Sequence, residues 1–476
     1  MAVACGENRN SQPPRITGDM AARFVATHNR WTIPNAIISD FKSPPMTSHP
    51  FVYKFPLLFI FFTLFAPHAE AIEPTVAHEI KFSESDWPLW RGPRQDGVAS
   101  TDQDPPVSWS ETENVRWRSP LPGRGHSSPI VVGNRVYIAS ADHRREVQVV
   151  LAFDRDSGKQ TWETVVHQGG FENKGNKINT KATLASSTLA YDGTRLFINF
   201  LNDSAVYTTA LDMNGKIIWR TKLSDYVLHQ GYGASPTIYK DLVIASADNK
   251  SGGSIVAMDR ETGEIRWRHQ RPEMPNYPSP IIVHAADRDQ LIMTGCERVT
   301  SLNPLTGEVF WEVAGATTEC VTSTVTNGRV VLTSGGYPDN HISAVAADGS
   351  GEIVWETTDR QYVPSMLMIN NHVFAVHDAG VAACFDADSG KQKWKHRLGG
   401  TFSSSPVLVG DRIYVTNEEG ETTIFKADDR QYQQIASNKL GHSVFATPAI
   451  CGSQIFMRVT HTIDDQPQEF LYCLSK

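Results

Sequence analysis

The stretch from Asp154 to Trp162 reads DRDSGKQTW. It returns five times: DMNGKIIW ending at Trp219, DRETGEIRW at Trp267, NPLTGEVFW at Trp311, ADGSGEIVW at Trp355 and DADSGKQKW at Trp394. Every copy places Gly four residues before Trp, and a Lys or Glu follows that Gly. The Trp residues are spaced by 57, 48, 44, 44 and 39 positions, which is the length of a four-stranded propeller blade. A second signal has the same period and opens each unit: Ser128-Pro129, Ser187-Thr188, Ser235-Pro236, Ser279-Pro280, Ser323-Thr324, Ser365-Met366, Ser405-Pro406 and Thr447-Pro448. Eight starts predict eight blades. An apolar run, a turn and a second apolar run follow each start, as in PIVVGNRVYIAS after Ser128, and this pattern suits strands buried between neighbouring sheets.

The repeated motif has a mechanical reading. Asp or Asn opens the hairpin between the third and fourth strands by bonding its own turn, and Gly supplies the positive φ. Trp then falls on the outer strand, where its ring covers the next blade. The eighth unit, Thr447 to Leu474, holds only three strands and no motif Trp, while ENVRWRSPL around Trp117 reads as a fourth strand placed before the first blade. Pairing of this segment with LYCLS at the C-terminus is predicted to close the ring. The seventh unit is degenerate, with Gln434 and Ile435 where Trp would fall.

The rest of the chain places this all-β, eight-bladed propeller at residues 111–476. Upstream, FPLLFIFFTLFA (Phe55 to Ala66) follows Lys54 and precedes Ala69-Glu70-Ala71, the three-part pattern of a secretory signal peptide cleaved near Ala71. The run is too short to span a membrane, which needs about 20 apolar residues. Residues 46–71 therefore read as the leader. Residues 1–45 read as an upstream extension preceding the true initiator Met46 or as an unusually long leader. Residues 72–110 read as an extension that docks on the propeller, because Trp87, Trp90 and Arg91 would be poorly placed in water; a partner-binding tether is the alternative.

Composition agrees with an exported globular protein. The 476 residues are 40% hydrophobic and 20% charged, with a formal charge of −8. Loss of residues 1–71 leaves 38 Lys and Arg against 48 Asp and Glu. No basic field exists to gather phosphates, which argues against a dedicated nucleic-acid binder. Cys296, Cys320, Cys384, Cys451 and Cys473 remain. Their odd number and lack of C-x-x-C spacing signal neither a disulfide framework nor a zinc site.

The D-x-x-[ST]-G-x-x-x-W repeats resemble the pyrroloquinoline-quinone-type (PQQ-like) propeller repeat over residues 111–476. Quinoprotein dehydrogenases, the propeller lipoprotein of the outer-membrane assembly machine and sensor domains of some bacterial kinases share it. Such a resemblance implies a fold more than a function. A dehydrogenase of this kind would hold its quinone between an adjacent Cys-Cys ring and a flat Trp, with calcium held by Glu, Asn and Asp beside an Asp base. The sequence has no adjacent Cys pair and no motif onto which those ligands carry, so no cofactor is expected, and PQQ with calcium is the alternative. Kinase chemistry has no Gly-rich loop or D-F-G here; Asp142-His143-Arg144 has its letters in the wrong order.

Other constellations are weaker. Acids between second and third strands, Asp142, Asp203, Asp248, Asp378, Glu418 and Asp464, read as hairpin-turn residues, with a metal or substrate ring as the alternative. Ser127, His167 and Asp154 could form a hydrolytic triad only on paper, without a nucleophile elbow. His126, His229 and His442 precede blade starts, and His126 and His442 could meet near the axis. The connections into blade starts gather aromatic and hydroxyl residues on one face, the longest running from His167 to Ala182. The candidate partner- or ligand-facing rim is His126, Tyr232, Tyr277, Tyr362, Phe402 and His442. These readings point to a non-catalytic binding or scaffold protein of the periplasm or cell envelope. Its partner would be a protein or a glycan, and it is expected to be a monomer without a transmembrane segment. A quinoprotein dehydrogenase and a carbohydrate-binding accessory protein are the alternatives.

Overall fold

The computed structural model describes residues 80, 82–171 and 178–476; the expected leader and upstream extension lie outside them. The described residues form strands and no helix, and no helix is long and apolar enough to cross a membrane. Eight four-stranded antiparallel sheets form a ring. Blade 1 runs from Ile130 to Gln168, blade 2 from Ala190 to Asp225, blade 3 from Thr237 to Arg271 and blade 4 from Ile281 to Ala314. Blade 5 runs from Val325 to Thr357, blade 6 from Leu367 to Arg397, blade 7 from Val407 to Lys439 and blade 8 from Ala449 to Leu474. Blades 1 to 7 each run in chain order from the innermost strand outward.

Blade 8 takes its outermost strand from the segment that leads into blade 1. Val115–Leu121 pairs antiparallel with Gln466–Leu474, Trp117 standing opposite Cys473 and Leu121 opposite Glu469. A free sheet edge is thereby paired within the chain. The joint is reinforced by a buried ion pair in which Arg458 Nε donates to Glu469 Oε2 at 2.6 Å, while its Nη1 reaches the Ala139 carbonyl of blade 1.

Between blades the core is apolar. Ile130, Tyr137 and Val150 of blade 1 interlock with Leu189, Leu196 and Phe200 of blade 2, and Ala375 and Phe385 of blade 6 pack on Val325, Leu332 and Ala344 of blade 5. The five cysteines among the described residues are buried and unpaired.

The motif acts across blades as well as within its own hairpin. Asp154 Oδ1 accepts from the backbone and hydroxyl of Ser157 at 2.9 and 2.7 Å. These bonds hold its carboxyl below the usual range. The indole N–H of the preceding blade then donates to the carbonyl of the residue after that Asp or Asn: Trp117 to Arg155, Trp162 to Met213, Trp219 to Arg260, Trp267 to Pro304 and Trp355 to Ala387. In the degenerate blade 7, Trp394 donates one residue further on, to the carbonyl of Asp428 after Ala427. Blade 4 breaks the rule through a relay. Trp311 Nε1 donates to Gln290 Oε1 at 2.8 Å, and Gln290 Nε2 donates to the carbonyl of Ala347 at 2.9 Å, the position that the indole takes at the other junctions. At the junction of blades 7 and 8, which has no motif Trp, Trp109 enters the shared core beside Tyr414, Ile424 and Tyr472. Its backbone N–H is bonded to Asn438 Oδ1.

Candidate functional site

The Ser and Thr residues that open the blades do more than punctuate the sequence. At six of the eight starts the backbone N–H donates to the hydroxyl of the next: Ser128 to Thr188, Thr188 to Ser235, Ser235 to Ser279, Ser323 to Ser365, Ser365 to Ser405 and Ser405 to Thr447, at 2.8 to 3.0 Å. This belt satisfies the buried N–H groups at the mouths of the innermost strands. It also rings a cavity of about 550 Å³ on the axis.

One end of the channel is stopped by the segment before the propeller. Trp87 forms a bridge to Val131 of blade 1, and the Pro88 carbonyl accepts from Tyr191 of blade 2. Trp90 Nε1 donates to Ser323 Oγ of blade 5 at 2.9 Å, Arg91 donates to the Met366 carbonyl of blade 6, and Gln95 Oε1 accepts from Thr237 of blade 3. Val98 bridges to Leu408 of blade 7. A segment bonded to innermost strands on opposite sides of the ring must cross the axis. Trp90 reaches the cavity from it, so the channel is a well with an indole in its floor. Arg155 ties this segment to the ring by donating to Gln454 and to the carbonyls of Ser85, Gly133 and Cys451.

The wall of the well contains His126, Tyr232, Tyr277, Tyr362 and Phe402, together with Phe445. His126 stacks on Phe445 with centroids 4.5 Å apart and planes 13° from parallel. Burial, helped by Arg458 and Arg124, holds its imidazole down to about 3, so it is neutral at physiological pH. Tyr277 Oη and Glu319 Oε1 lie 3.1 and 3.2 Å from His229 Nδ1. Burial raises the Glu319 carboxyl above its ordinary range. Tyr232 turns its hydroxyl into blade 3, donating to the Ser246 carbonyl at 2.8 Å.

His442 is not among the lining residues; its Nδ1 accepts from the Thr462 backbone and its ring meets His461 edge-on. The expected meeting of His126 and His442 gives way to the stacking of His126 on Phe445, because His442 is drawn into the long outer hairpin of blade 8. Ser127, His167 and Asp154 are likewise engaged separately. Ser127 Oγ accepts from the Ala139 backbone, His167 packs against Phe200 and Tyr207, and Asp154 holds its turn.

Four charged side chains line the well, and each has a partner there. Arg360 Nε donates to Asp378 Oδ2 at 2.7 Å; Lys181 Nζ donates to Glu418 Oε1 at 2.8 Å, where Ser403 also donates at 2.7 Å. Asp378 and Glu418 were readable as turn acids; Arg360 lies 18 residues before Asp378 and Lys181 lies 237 residues before Glu418, and neither cation carries a local signal of its pairing. Asp248, of the same series, is sealed in a buried pair with Arg271. Among the described residues no group of three or more His, Cys, Asp or Glu is placed to hold a metal ion.

Comparison with known proteins agrees with this architecture. The family model described as outer membrane protein assembly factor BamB matches residues 84–170, 146–338, 282–370 and 338–460. The BamB protein of Moranella endobia is 23% identical over 349 residues, covering 70% of this chain and 82% of the relative. The crystal structure of BamB from Moraxella catarrhalis superposes with a TM-score of 0.53 at 15% identity, over 75% of this chain and 99% of the other. A europium-containing methanol dehydrogenase superposes with a TM-score of 0.58 at 13% identity, over 83% and 98%; at such identities these two likenesses speak for the fold alone. With matches running from residue 84 to residue 460 and a ring of eight PQQ-type blades, the chain belongs to the BamB family of PQQ-like repeat propellers.

Proposed function

We propose that the protein is an exported, non-catalytic propeller that binds a protein partner in the periplasm or cell envelope, across the face on which the well opens. One observation carries this reading: every charged side chain lining the well is already paired within the wall. Both carboxylates that line it, Asp378 and Glu418, are held by cations, and an ion-paired carboxylate is a poor general base. The relatives, named as assembly factors, favour a protein partner, and the leader pattern at residues 46–71 favours export. In this reading the ring is a rigid monomeric platform and needs no cofactor.

The quinoprotein alternative meets a poor donor set. Of the two carboxylates in the well, each is bonded to a cation, and no cysteine lines it. Trp90 offers an aromatic face from the floor, but the partners that a quinone and calcium require are not gathered around it. The residues do not fit that group, and no step is derived through it.

The test is affinity capture of mature protein from its native envelope after cross-linking, in parallel with a variant carrying Tyr277→Ala and Phe445→Ala. A specific protein recovered with the parent and lost with the variant supports the reading. Recovery unaffected by the variant overturns the choice of face. Stoichiometric binding of added pyrroloquinoline quinone and calcium, with dye-linked oxidation of an alcohol or sugar, overturns the non-catalytic assignment.

A further inference from the structure

We propose that the well is itself a binding site for an uncharged di- or trisaccharide. This goes beyond the protein contact on the surrounding face and rests on the interior of the well. Its volume of about 550 Å³ falls within the range of about 300–1,000 Å³ typical of small-molecule sites. The floor formed by Trp90 makes it end blindly, so a ligand enters and leaves by one mouth.

The charge pattern selects the ligand. Arg360 with Asp378 and Lys181 with Glu418 present donors and acceptors side by side at no net charge. An anionic ligand would have to displace a carboxylate from its cation, and a cationic ligand would have to displace the cation, each at the cost of a buried or half-buried unpaired charge. A purely apolar ligand would cover these pairs, together with Ser186, Ser403 and Gln230, and give nothing back for their hydration. Hydroxyl groups both donate and accept, so they can bond to either member of an ion pair without separating it.

The aromatic pattern selects the same class. Phe445 with stacked His126, Tyr277, Tyr362 and the Trp90 floor present ring surfaces around the same space. The electron-rich faces of such rings suit the polarised C–H faces of a sugar ring. A molecule with apolar faces and an equatorial belt of hydroxyls matches both features at once.

The test is titration of the mature protein with maltotriose, cellotriose, N-acetylchitotriose and, as the anionic counterpart, trigalacturonate, read by calorimetry and by tryptophan fluorescence. At least one neutral trisaccharide is expected to bind saturably at one site, with a fluorescence change that disappears in Trp90→Phe. Tyr362→Ala and Phe445→Ala should each weaken it by roughly tenfold or more, with thermal melting recorded to show that the fold is retained. Glu418→Gln frees Lys181 and should shift preference toward trigalacturonate. No binding by any neutral trisaccharide, tighter binding of trigalacturonate by the parent, or affinities unchanged in both aromatic variants would overturn the proposal. Protein capture is measured separately, so failure here leaves that result standing, and the reverse.

Discussion

The indole of Trp219 lies on Gly263 of the following blade: a Cβ built at Gly263 would stand 2.5 Å from Trp219 Cδ2. The same seat recurs for Trp117 on Gly158, Trp162 on Gly215, Trp267 on Gly307 and Trp355 on Gly390. The motif Gly therefore serves two ends, the positive φ of its own hairpin and room for the neighbour's ring.

This predicts a graded result for two alanine substitutions. Gly351 has a similar φ of +80° against +75° at Gly263, yet nothing lies within 4 Å of its Cβ position. Gly351→Ala should cost only the backbone strain, about 1–3 kcal/mol. Gly263→Ala should cost more, since the ring of Trp219 must also move. Urea unfolding of both variants decides the matter, and equal losses would refute the seat.

Closure of the ring predicts a large effect at Trp117. The side chain is buried, packs near Phe456 and donates to the Arg155 carbonyl at 2.9 Å. Trp117→Ala should destabilise by about 3–5 kcal/mol. Trp117→Phe, which keeps a ring and loses the N–H, should lose less. Melting temperatures in the order parent, Phe, Ala are expected.

Gln290 offers a sharper probe because its side chain bonds to four groups: Trp311 Nε1, Ser301 Oγ and the carbonyls of Ala347 and Ala285. Gln290→Met preserves bulk and strands them. A loss of at least about 1–3 kcal/mol in denaturant unfolding is expected; a neutral outcome would show that the relay carries no weight.

The hydroxyl belt predicts that Ser365→Ala destabilises although it removes a single atom. It leaves the buried N–H of Ser323 without its acceptor at 2.9 Å, a penalty of about 1–3 kcal/mol. Ser365→Thr, retaining the hydroxyl, should recover part of that loss in the same unfolding assay.

Acid should weaken the fold through its buried imidazoles. Burial, with nearby arginines, takes His126 and His167 down to about 3, and burial alone takes His341 to about 4, from an ordinary 6.5. Their folded values are depressed, so the unfolded chain takes up protons first. Their contribution is complete above the unfolded value of 6.5 and is lost as pH falls toward the folded values. Unfolding free energy measured from pH 7.5 to 4.5 should decline, with a slope that drops by about one proton in His167→Phe. An identical slope in that variant would overturn the assignment.

The sequence by itself determined the number of blades, their order and their closure. Those features rest on local, repeated chemistry: a turn acid, a positive-φ Gly and a Trp recur at fixed spacing, and the lone fourth-strand pattern around Trp117 leaves it no partner except the three-stranded end. Tyr277, Tyr362 and Phe402 lie two or three residues before Ser279, Ser365 and Ser405, in the connections into blade starts, and the structure places all three on the wall of the cavity. The tertiary structure alone decided what happens where the repeat fails. Trp109 filling the junction that lacks a motif Trp, Gln290 relaying for Trp311, Trp90 flooring the channel, and Lys181 and Arg360 neutralising Glu418 and Asp378 all depend on groups from different blades, or from outside them, meeting in space. A period along the chain encodes what each blade does for its neighbour, but the axis belongs to no single blade. Its chemistry follows from which irregular side chains converge there, and no local spacing records that.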